Sequence, residues 1–422
     1  MDGSGATGEI NISIDKTKIT SIDTGSAGDM LHIKGSHASA VYNTKGGNDT
    51  VEVDDFGSSA TLNTGGGGDK IELDTALTTA TQVIDGGDGY DTLEVSENVA
   101  NGDYNNIEVL EITNLVTDVH LNLFDGDLEK VEVGTTNPVT LNKVAAEHAI
   151  ETDSGADVTI ASGTSNKASV LAAGNLTLEN ASTGSTIEEL TVNFSSNSAS
   201  TLTLKGTKTT SLVIEEASAE VSLVGLAITS GAVGVTAISA LSLTTDVTVG
   251  SVGSGAGNLS SLSLGSGDDT AYVDGGQNGA DIRMGGGDDI IDADLNDDPM
   301  DYSGGAGQDT IKLKSTNGVQ DDIVFDATAD FVAVTAPATS NAIDVVQGFQ
   351  TGEDKIDLNA LNLTGIDDQA TLTDAYNEVA NGNVDVAYAV DGGDTYVYVD
   401  LGGAIGGIKV EGEVLVDADF NL

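Results

Sequence analysis

Apolar and polar residues alternate in short stretches along most of the chain, as in Ile71-Glu72-Leu73. Successive side chains of a strand point to opposite faces, so this alternation predicts β-strands. Many of the stretches follow an aspartate, and apolar residues align in three columns relative to these aspartates. The columns lie seven residues before the aspartate (Ile22, Tyr42, Leu62, Ile84, Leu262, Ile282, Tyr302), two residues after it (Leu31, Val51, Ile71, Leu93, Ala271, Ile291, Ile311) and four residues after it (Ile33, Val53, Leu73, Val95, Val273, Ala293, Leu313).

The aspartates themselves recur at a nearly constant interval. Asp29, Asp49 and Asp69 are 20 residues apart and Asp91 follows after 22, while Asp269, Asp289 and Asp309 are again 20 apart. A fixed period of this length is typical of repeat architectures, in which each unit buries its apolar face against the next. With two short strands per repeat, the chain is predicted to be all-β. The predicted fold is a parallel β-helix or β-roll solenoid with turns, here called rungs, of about 20 residues.

The pattern divides the chain into four predicted regions. Residues 1–96 and 262–319 carry the glycine-aspartate turns. Residues 97–261 keep the strand rhythm with Ser/Thr/Ala-rich turns; Leu243 and Leu264, for example, are 21 residues apart. This stretch is predicted to be further solenoid, with a β-sandwich as the open alternative. Residues 320–422 are predicted to form a small, mainly β cap. It contains one short helix within 371–383, capped by Thr371 and ended by Gly382, and then a hairpin.

Charge and composition exclude several classes of protein. Lys and Arg total 15 against 68 Asp and Glu, a net charge of −53, which argues against nucleic-acid binding. The absence of Cys excludes zinc-thiolate sites and disulfides. No apolar run reaches the roughly 18 residues of a membrane span, so no membrane insertion is predicted. The start lacks a secretory signal, which leaves a cytoplasmic protein, another export route, or a fragment without its natural N-terminus.

The acidic residues are placed in the turns rather than scattered, which disfavours a purely halophilic surface. Neighbouring rungs stack about 4.8 Å apart, so equivalent aspartates are expected to face each other at roughly 5 Å. At an effective dielectric of about 20, such a pair repels by roughly 3 kcal/mol. A cation between the turns would remove this repulsion. Calcium is predicted, because it accepts six to eight oxygen ligands in loose geometry.

Two nine-residue segments, Gly86–Glu94 (GGDGYDTLE) and Gly304–Lys312 (GGAGQDTIK), match the pattern G-G-x-G-x-D-x-U-x in full, and the chain therefore resembles RTX calcium-binding repeat proteins. The resemblance implies that multiple Ca²⁺ ions lie between successive turns, held by aspartate carboxylates and turn carbonyls. The implied ligands are Asp29, Asp49, Asp69, Asp91, Asp269, Asp289 and Asp309, with Gly65, Gly67, Gly87, Gly89, Gly285, Gly287, Gly305 and Gly307. On the opposite edge of the rungs, Asp54, Asp74, Asp274 and Asp294 are further candidates, and Asp281 is a possible additional site.

The C-terminal region resembles RTX proteins exported by type I secretion, whose signal is C-terminal. The segments Gly352–Leu358 (GEDKIDL) and Asp419–Leu422 carry this resemblance. It implies an extracellular, cell-surface location.

The Cys-free, Lys-poor, Ala/Thr/Ser/Gly-rich chain further resembles the lattice-forming part of a calcium-dependent bacterial surface-layer protein. This implies a structural protein without enzymatic activity, whose partner is itself in a two-dimensional lattice. A cell-surface polysaccharide would be bound through an N-terminal part outside this chain. A secreted RTX adhesin or matrix protein, and the non-catalytic tail of an exported hydrolase, are the alternatives. The four histidines show no zinc-ligand spacing, and no G-x-S-x-G motif is present.

Overall fold

A computed structural model describes the chain except for residues 16–17, 114, 164–165, 181–187, 207–209, 217–225, 231–234, 253–258, 274–275 and 338–342. The predicted ligand Asp274 lies outside the described residues. The chain divides into two compact units, Met1–Ser195 and Ser196–Leu422. Within the described residues, no helix has the length and apolar character needed to cross a membrane.

The first unit consists mainly of short β-strands. They are β1 (Asn11–Ile14), β2 (Ser21–Asp23), β3 (Met30–Ile33), β4 (Val41–Asn43), β5 (Thr50–Val53), β6 (Thr61–Asn63), β7 (Gly66–Gly67), β8 (Lys70–Leu73), β9 (Val83–Asp85), β10 (Asp88–Gly89), β11 (Thr92–Val95), β12 (Asp103–Asn105), β13 (Val109–Ile112), β14 (Asp118–His120), β15 (Lys130–Val133), β16 (Val139–Asn142), β17 (Ala149–Thr152), β18 (Ala156–Ile160), β19 (Lys167–Ala172), β20 (Leu176–Asn180) and β21 (Glu189–Phe194), with a 3₁₀ turn at Leu121–Leu123.

These strands pair in parallel, each with the equivalent strand of the next rung. One series runs β1, β3, β5, β8, β11, β13, β15, β17, β19 and β21. A second series runs β2, β4, β6, β9 and β12, and a third runs β14, β16, β18 and β20. Pairing is one-to-one, so that Thr50 lies opposite Lys70 and Val51 opposite Ile71. This is the predicted solenoid.

The three predicted apolar columns form the core of the rungs. Every one of their members in both units is buried, with at most 4% of its surface exposed. In the first unit Leu31, Val51, Ile71 and Leu93 lie opposite one another in consecutive strands. The alternation of the sequence therefore corresponds to inward-facing and outward-facing positions, and stacking of rungs buries the inward positions continuously.

The outward face of the first unit carries a ladder of glutamates. Strand register aligns six of them in consecutive rungs, Glu52, Glu72, Glu94, Glu111, Glu132 and Glu151. Lys70 Nζ lies 3.3 Å from Glu72 and 2.8 Å from Glu94, and Lys130 Nζ lies 2.7 Å from Glu151. Like charges directly opposite each other destabilise a sheet, so these two lysines offset the repulsion along the ladder.

The second unit contains β22 (Ser200–Gly206), β23 (Ser211–Glu216), β24 (Leu226–Ser230), β25 (Ala237–Ser239), β26 (Val247–Val252), β27 (Leu259–Ser263), β28 (Thr270–Val273), β29 (Gly276–Gly286), β30 (Ile290–Ala293), β31 (Met300–Ala306), β32 (Thr310–Leu313), β33 (Asp322–Val324), β34 (Ala333–Val334), β35 (Asp344–Gln347), β36 (Lys355–Asp357), β37 (Ile366–Gln369), α1 (Leu372–Ala380), β38 (Val386–Asp391), β39 (Asp394–Asp400), β40 (Ile405–Val410) and β41 (Phe420–Asn421), with 3₁₀ turns at Thr328–Asp330, Asn359–Leu361 and Asp417–Asp419.

Parallel pairing again dominates. One series runs β22, β24, β26, β28, β30, β32, β35 and β40, and the other runs β23, β25, β27, β29, β31, β33, β36 and β41. The described strands between residues 97 and 261 thus belong to solenoid rungs, not to the β-sandwich alternative. The pairing also continues beyond residue 320. In all there are about 16 rungs, about 20 residues apart.

The end of the second unit contains the predicted helix and hairpin. Helix α1 begins after Thr371, whose hydroxyl accepts the N–H of Asp374 at 3.1 Å, and Gly382 follows with a φ of 69°. Strands β38, β39 and β40 pair antiparallel, and α1 packs on them through Leu372, Ala375 and Val379. Among the described residues α1 is the only α-helix, as the sequence predicts.

Candidate metal columns

Four aspartates directly precede strands β3, β5, β8 and β11 and are here called the first column: Asp29, Asp49, Asp69 and Asp91. All four are buried. The backbone N–H of Asp29 donates to Asp49 Oδ1 at 2.6 Å, that of Asp49 to Asp69 Oδ1 at 2.7 Å, and that of Asp69 to Asp91 Oδ1 at 2.7 Å. Glu108 Oε2 accepts the N–H of Asp91 at 2.6 Å and ends the ladder. The structure thus brings the predicted aspartates into direct succession.

A second column contains Asp269, Asp289, Asp309 and one residue that sequence reasoning missed, Asp344. Asp269 Oδ1 accepts the N–H of Val247 at 2.7 Å. The N–H of Asp269 then donates to Asp289 Oδ1 at 2.6 Å, that of Asp289 to Asp309 Oδ1 at 2.9 Å, and that of Asp309 to Asp344 Oδ1 at 3.0 Å. All four carboxylates are buried, and each uses one oxygen to bind the preceding rung.

In most of the column aspartates, the second carboxylate oxygen, Oδ2, accepts no hydrogen bond from the described residues. Asp29 is an exception, because its Oδ2 accepts the N–H of Gly25 at 3.0 Å. A buried polar atom left unpaired costs about 1–3 kcal/mol, and more when it is charged. A proton or a cation bound to such an oxygen would remove this cost. Oδ2 is buried and lacks a hydrogen-bond partner among the described residues in Asp49, Asp69, Asp91, Asp269, Asp289 and Asp344.

Burial raises the pKa above the ordinary value of 3.8 for Asp49, Asp69 and Asp91 of the first column and for all four carboxyls of the second column. For most of these carboxyls, the negative charges of nearby aspartates add to the shift. Around neutral pH the second column is therefore close to the point where protons and cations compete for it. The pKa rises to about 6 for Asp49 and Asp91, to about 7 for Asp269, Asp289 and Asp309, and to about 8 for Asp344.

The turn glycines are required by the close stacking of the rungs. A Cβ atom at Gly67 would lie 2.0 Å from the carbonyl oxygen of Gly47, and one at Gly89 would lie 1.6 Å from that of Gly67. The turns therefore present backbone carbonyl oxygens to one another beside the columns. All eight predicted turn glycines have φ between 92° and 155°, which L-residues rarely adopt: Gly65, Gly67, Gly87, Gly89, Gly285, Gly287, Gly305 and Gly307.

On the opposite edge, the predicted aspartates have protein partners. Asp74 is exposed and accepts the Ser96 hydroxyl at 2.7 Å. Asp294 Oδ2 lies 2.6 Å from Lys312 Nζ. Both carboxylates face solvent at least in part, so neither needs a metal to be satisfied. A calcium site on this edge stays a prediction.

Asp54 belongs to a small surface cluster with His32 and Glu52. His32 Nε2 lies 3.0 Å from Asp54 Oδ2, and His32 Nδ1 lies 3.1 Å from Glu52 Oε2. One atom from each residue could reach a common metal ion. Each of the two ring nitrogens already lies within hydrogen-bond distance of one carboxylate, so the cluster is held together without a metal.

Asp281 lies in a separate outward ladder with Asp301 and Asp322. Its Oδ2 accepts Arg283 Nε at 2.9 Å, while its Oδ1 is buried without a partner among the described residues. The side chain as a whole is 41% exposed. Asp281 is thus paired with a cationic side chain and is not part of either column.

Near the C-terminus, two further buried aspartates, Asp354 and Asp419, have hydrogen-bond partners for both carboxylate oxygens. Asp354, within the segment Gly352–Leu358, accepts the N–H of Asp321 on Oδ1 at 3.0 Å and that of Gln350 on Oδ2 at 2.8 Å. Both oxygens of Asp419 likewise accept backbone N–H groups, at 2.8 Å each. The segments that resemble an export signal therefore take part in the last rungs, and the export prediction stays a prediction.

The two columns offer carboxylate oxygens beside backbone carbonyls. Hard cations such as calcium prefer all-oxygen ligand sets, and the unpartnered oxygens of the columns fit such a cation. The RTX resemblance itself rests on the turn motifs, because no protein-family model matches the sequence and no curated protein matches it significantly.

Proposed function

We propose that this chain is a calcium-dependent structural protein of a bacterial surface layer, and that its aspartate columns bind calcium outside the cell and so complete the fold. The observation that carries the proposal is the set of buried, unpartnered carboxylate oxygens in the columns. A cation between successive turns would partner these oxygens. It would also offset the repulsion between neighbouring aspartates, roughly 3 kcal/mol per pair at an effective dielectric of about 20.

The ligand chemistry favours calcium over other cations. Calcium accepts six to eight oxygens in variable geometry, as carboxylates and carbonyls in stacked turns can supply. Magnesium requires a near-ideal octahedron and retains water, and zinc or copper prefer imidazole or sulfur. Extracellular calcium-binding modules work at about 10⁻⁴–10⁻³ M calcium. Loading after export would therefore leave the chain less stable before secretion and more stable afterwards.

The lattice part of the proposal rests on the surface-layer resemblance and on surface charge. Next to the second column, exposed Asp268 and Asp288 form an outer ladder, in which the N–H of Asp288 donates to Asp268 Oδ1 at 2.9 Å. Carboxylates at such a surface repel a second copy of the chain unless cations bridge them. Calcium would then act both within the chain and between chains.

Electron microscopy tests the lattice, with the purified chain dialysed in parallel into millimolar calcium and into EGTA. We expect ordered two-dimensional sheets in calcium and none in EGTA. Discrete particles in calcium with unfolded chain in EGTA would favour a secreted adhesin. Identical folded particles in both would contradict the calcium proposal. An active-site region encoded upstream would instead indicate the tail of a hydrolase.

A calcium titration of folding, followed by circular dichroism, tests the columns. The double variant Asp69→Ala/Asp289→Ala should fold only at higher calcium than the wild type. The matched control is Asp74→Ala/Asp294→Ala, which removes one carboxylate from the opposite edge of the same two rungs. We expect the control to titrate like the wild type. The reverse ranking would move the calcium sites to the opposite edge.

A further inference from the structure

Asp344 ends the second column although no glycine-rich turn precedes it. It follows Asp309 by 35 residues rather than 20. Strand register nevertheless places Val345 opposite Thr310 and Val346 opposite Ile311. Asp344 therefore takes the same place in its rung that Asp309 takes in the preceding one.

The surroundings of Asp344 are negative. Its side chain is buried, with 2% of its surface exposed; Oδ1 accepts the N–H of Asp309 at 3.0 Å, and Oδ2 has no partner among the described residues. The charged groups that act on it most are Asp309, Asp330 and Asp288, all of them acidic. In the part of the chain that the structure describes, no ion pair includes Asp344. By contrast, Asp354 is equally buried but has both oxygens hydrogen-bonded.

We infer that Asp344 and the carboxylate of Asp309 bind a divalent cation of the calcium type. This site would join the second column to the antiparallel strands β38, β39 and β40, here called the C-terminal sheet. The inference rests on the proposed function and adds a ligand that no repeat motif marks. Strand β35 begins at Asp344 and pairs with β32 on one side and with β40 on the other, where Asp344 lies opposite Ile408. A cation here would therefore order the strand through which the C-terminal sheet attaches to the rungs.

The experiment compares calcium binding and hydrogen exchange in the wild type and in Asp344→Asn. Asparagine keeps the shape and the Oδ1 acceptor but removes the charge. We expect one calcium fewer per chain by equilibrium dialysis, or a site weakened at least tenfold. We also expect calcium to stop protecting the amides of Ile405–Val410 in the variant. The matched control, Asp354→Asn, should retain the wild-type calcium count.

The outcomes separate the two proposals. A wild type that binds no calcium would overturn the proposed function together with this inference. A wild type that binds calcium, with unchanged count, affinity and protection in Asp344→Asn, would overturn the inference alone. Should the variant not fold, exchange in the wild type decides: calcium must increase the protection of residues 343–347, and a lack of increase refutes the site.

Discussion

Replacing Asp289 with asparagine should change the stability of the protein in opposite directions with and without calcium. Asp289 lies between Asp269 and Asp309 in the second column, and its Oδ1 accepts the N–H of Asp269 at 2.6 Å. Asparagine can keep this hydrogen bond through its own Oδ1. The substitution thus removes the buried charge and the unpartnered Oδ2 while leaving the ladder connected.

The magnitude follows from the pKa of Asp289, which burial raises from 3.8 to about 7. Between these values the folded state binds more protons than the unfolded state, so the ionised carboxyl destabilises the fold, fully so above pH 7. At about 1.36 kcal/mol per pKa unit, the cost is on the order of 4 kcal/mol. The side-chain NH₂ group of asparagine is left without a hydrogen-bond partner, which costs roughly 1–2 kcal/mol and reduces the gain in stability. In chelator at about pH 8, we expect the variant to be more stable by about 2–3 kcal/mol.

In calcium the sign reverses, because the variant loses a ligand. One site contributes about 2.7 kcal/mol at a free calcium concentration about 100 times its Kd, which roughly cancels the gain of the variant, and about 4.1 kcal/mol at about 1,000 times its Kd. At the higher concentration we therefore expect Asp289→Asn to be less stable than the wild type by about 1–2 kcal/mol. Chemical unfolding followed by circular dichroism, in EGTA and in calcium at the same pH, measures both differences.

Asp354→Asn is the control for this comparison. Both oxygens of Asp354 accept backbone N–H groups, so an amide places one N–H against another and should destabilise the fold equally in both media. The reasoning about the columns fails if Asp289→Asn behaves like this control, with the same sign of change in EGTA and in calcium.

Other measurements test the remaining features. In chelator the Tm of the wild type should rise as the pH falls from about 8 to about 5, because buried column carboxyls gain protons more readily in the folded state; in excess calcium the Tm should change much less over this range, because bound calcium keeps these carboxyls ionised. A pH-independent Tm in chelator would contradict the burial of ionised columns. Gly67→Ala places a Cβ 2.0 Å from Gly47 O at a φ of 142° and should cost more than about 3 kcal/mol of unfolding free energy; Gly126→Ala, with nothing within 4 Å, is the control and should stay within about 0.5 kcal/mol. Lys70→Gln leaves Glu94 and its neighbours without their shared cation and should cost about 1 kcal/mol, less at high salt; an effect independent of salt would refute the electrostatic account.

The core and most of the two columns could be predicted because their signals are local and periodic. Val51 and Ile71 occupy the same place after their aspartates, and this place is buried in each rung that carries a column aspartate. The turn glycines could be predicted for the same reason, since a rung tolerates only a few backbone shapes at Gly67 or Gly287. Such positions repeat with the aspartates, so the sequence displays them without knowledge of the pairing.

Residues whose roles depend on pairing across rungs of unequal length could not be predicted. Asp344 follows an interval of 35 residues, and Glu111 follows Glu94 by only 17, yet strand register places each opposite its counterpart. The partners of the opposite edge are similar: Lys312 reaches Asp294 from the next rung, which spacing within one rung does not reveal. Side-chain contacts between rungs require the three-dimensional register.

The one-to-one pairing of β5 with β8 has a consequence for how the gene can change. Residues 50–69 form one complete period, and their removal would join Asp49 directly to Lys70, which already lies opposite Thr50. The shortened chain would keep its register, its turn and its aspartate spacing, because each rung contacts chiefly its neighbours. Recombination between such repeats can therefore lose or add whole rungs in frame, and each such event changes the number of column aspartates by one.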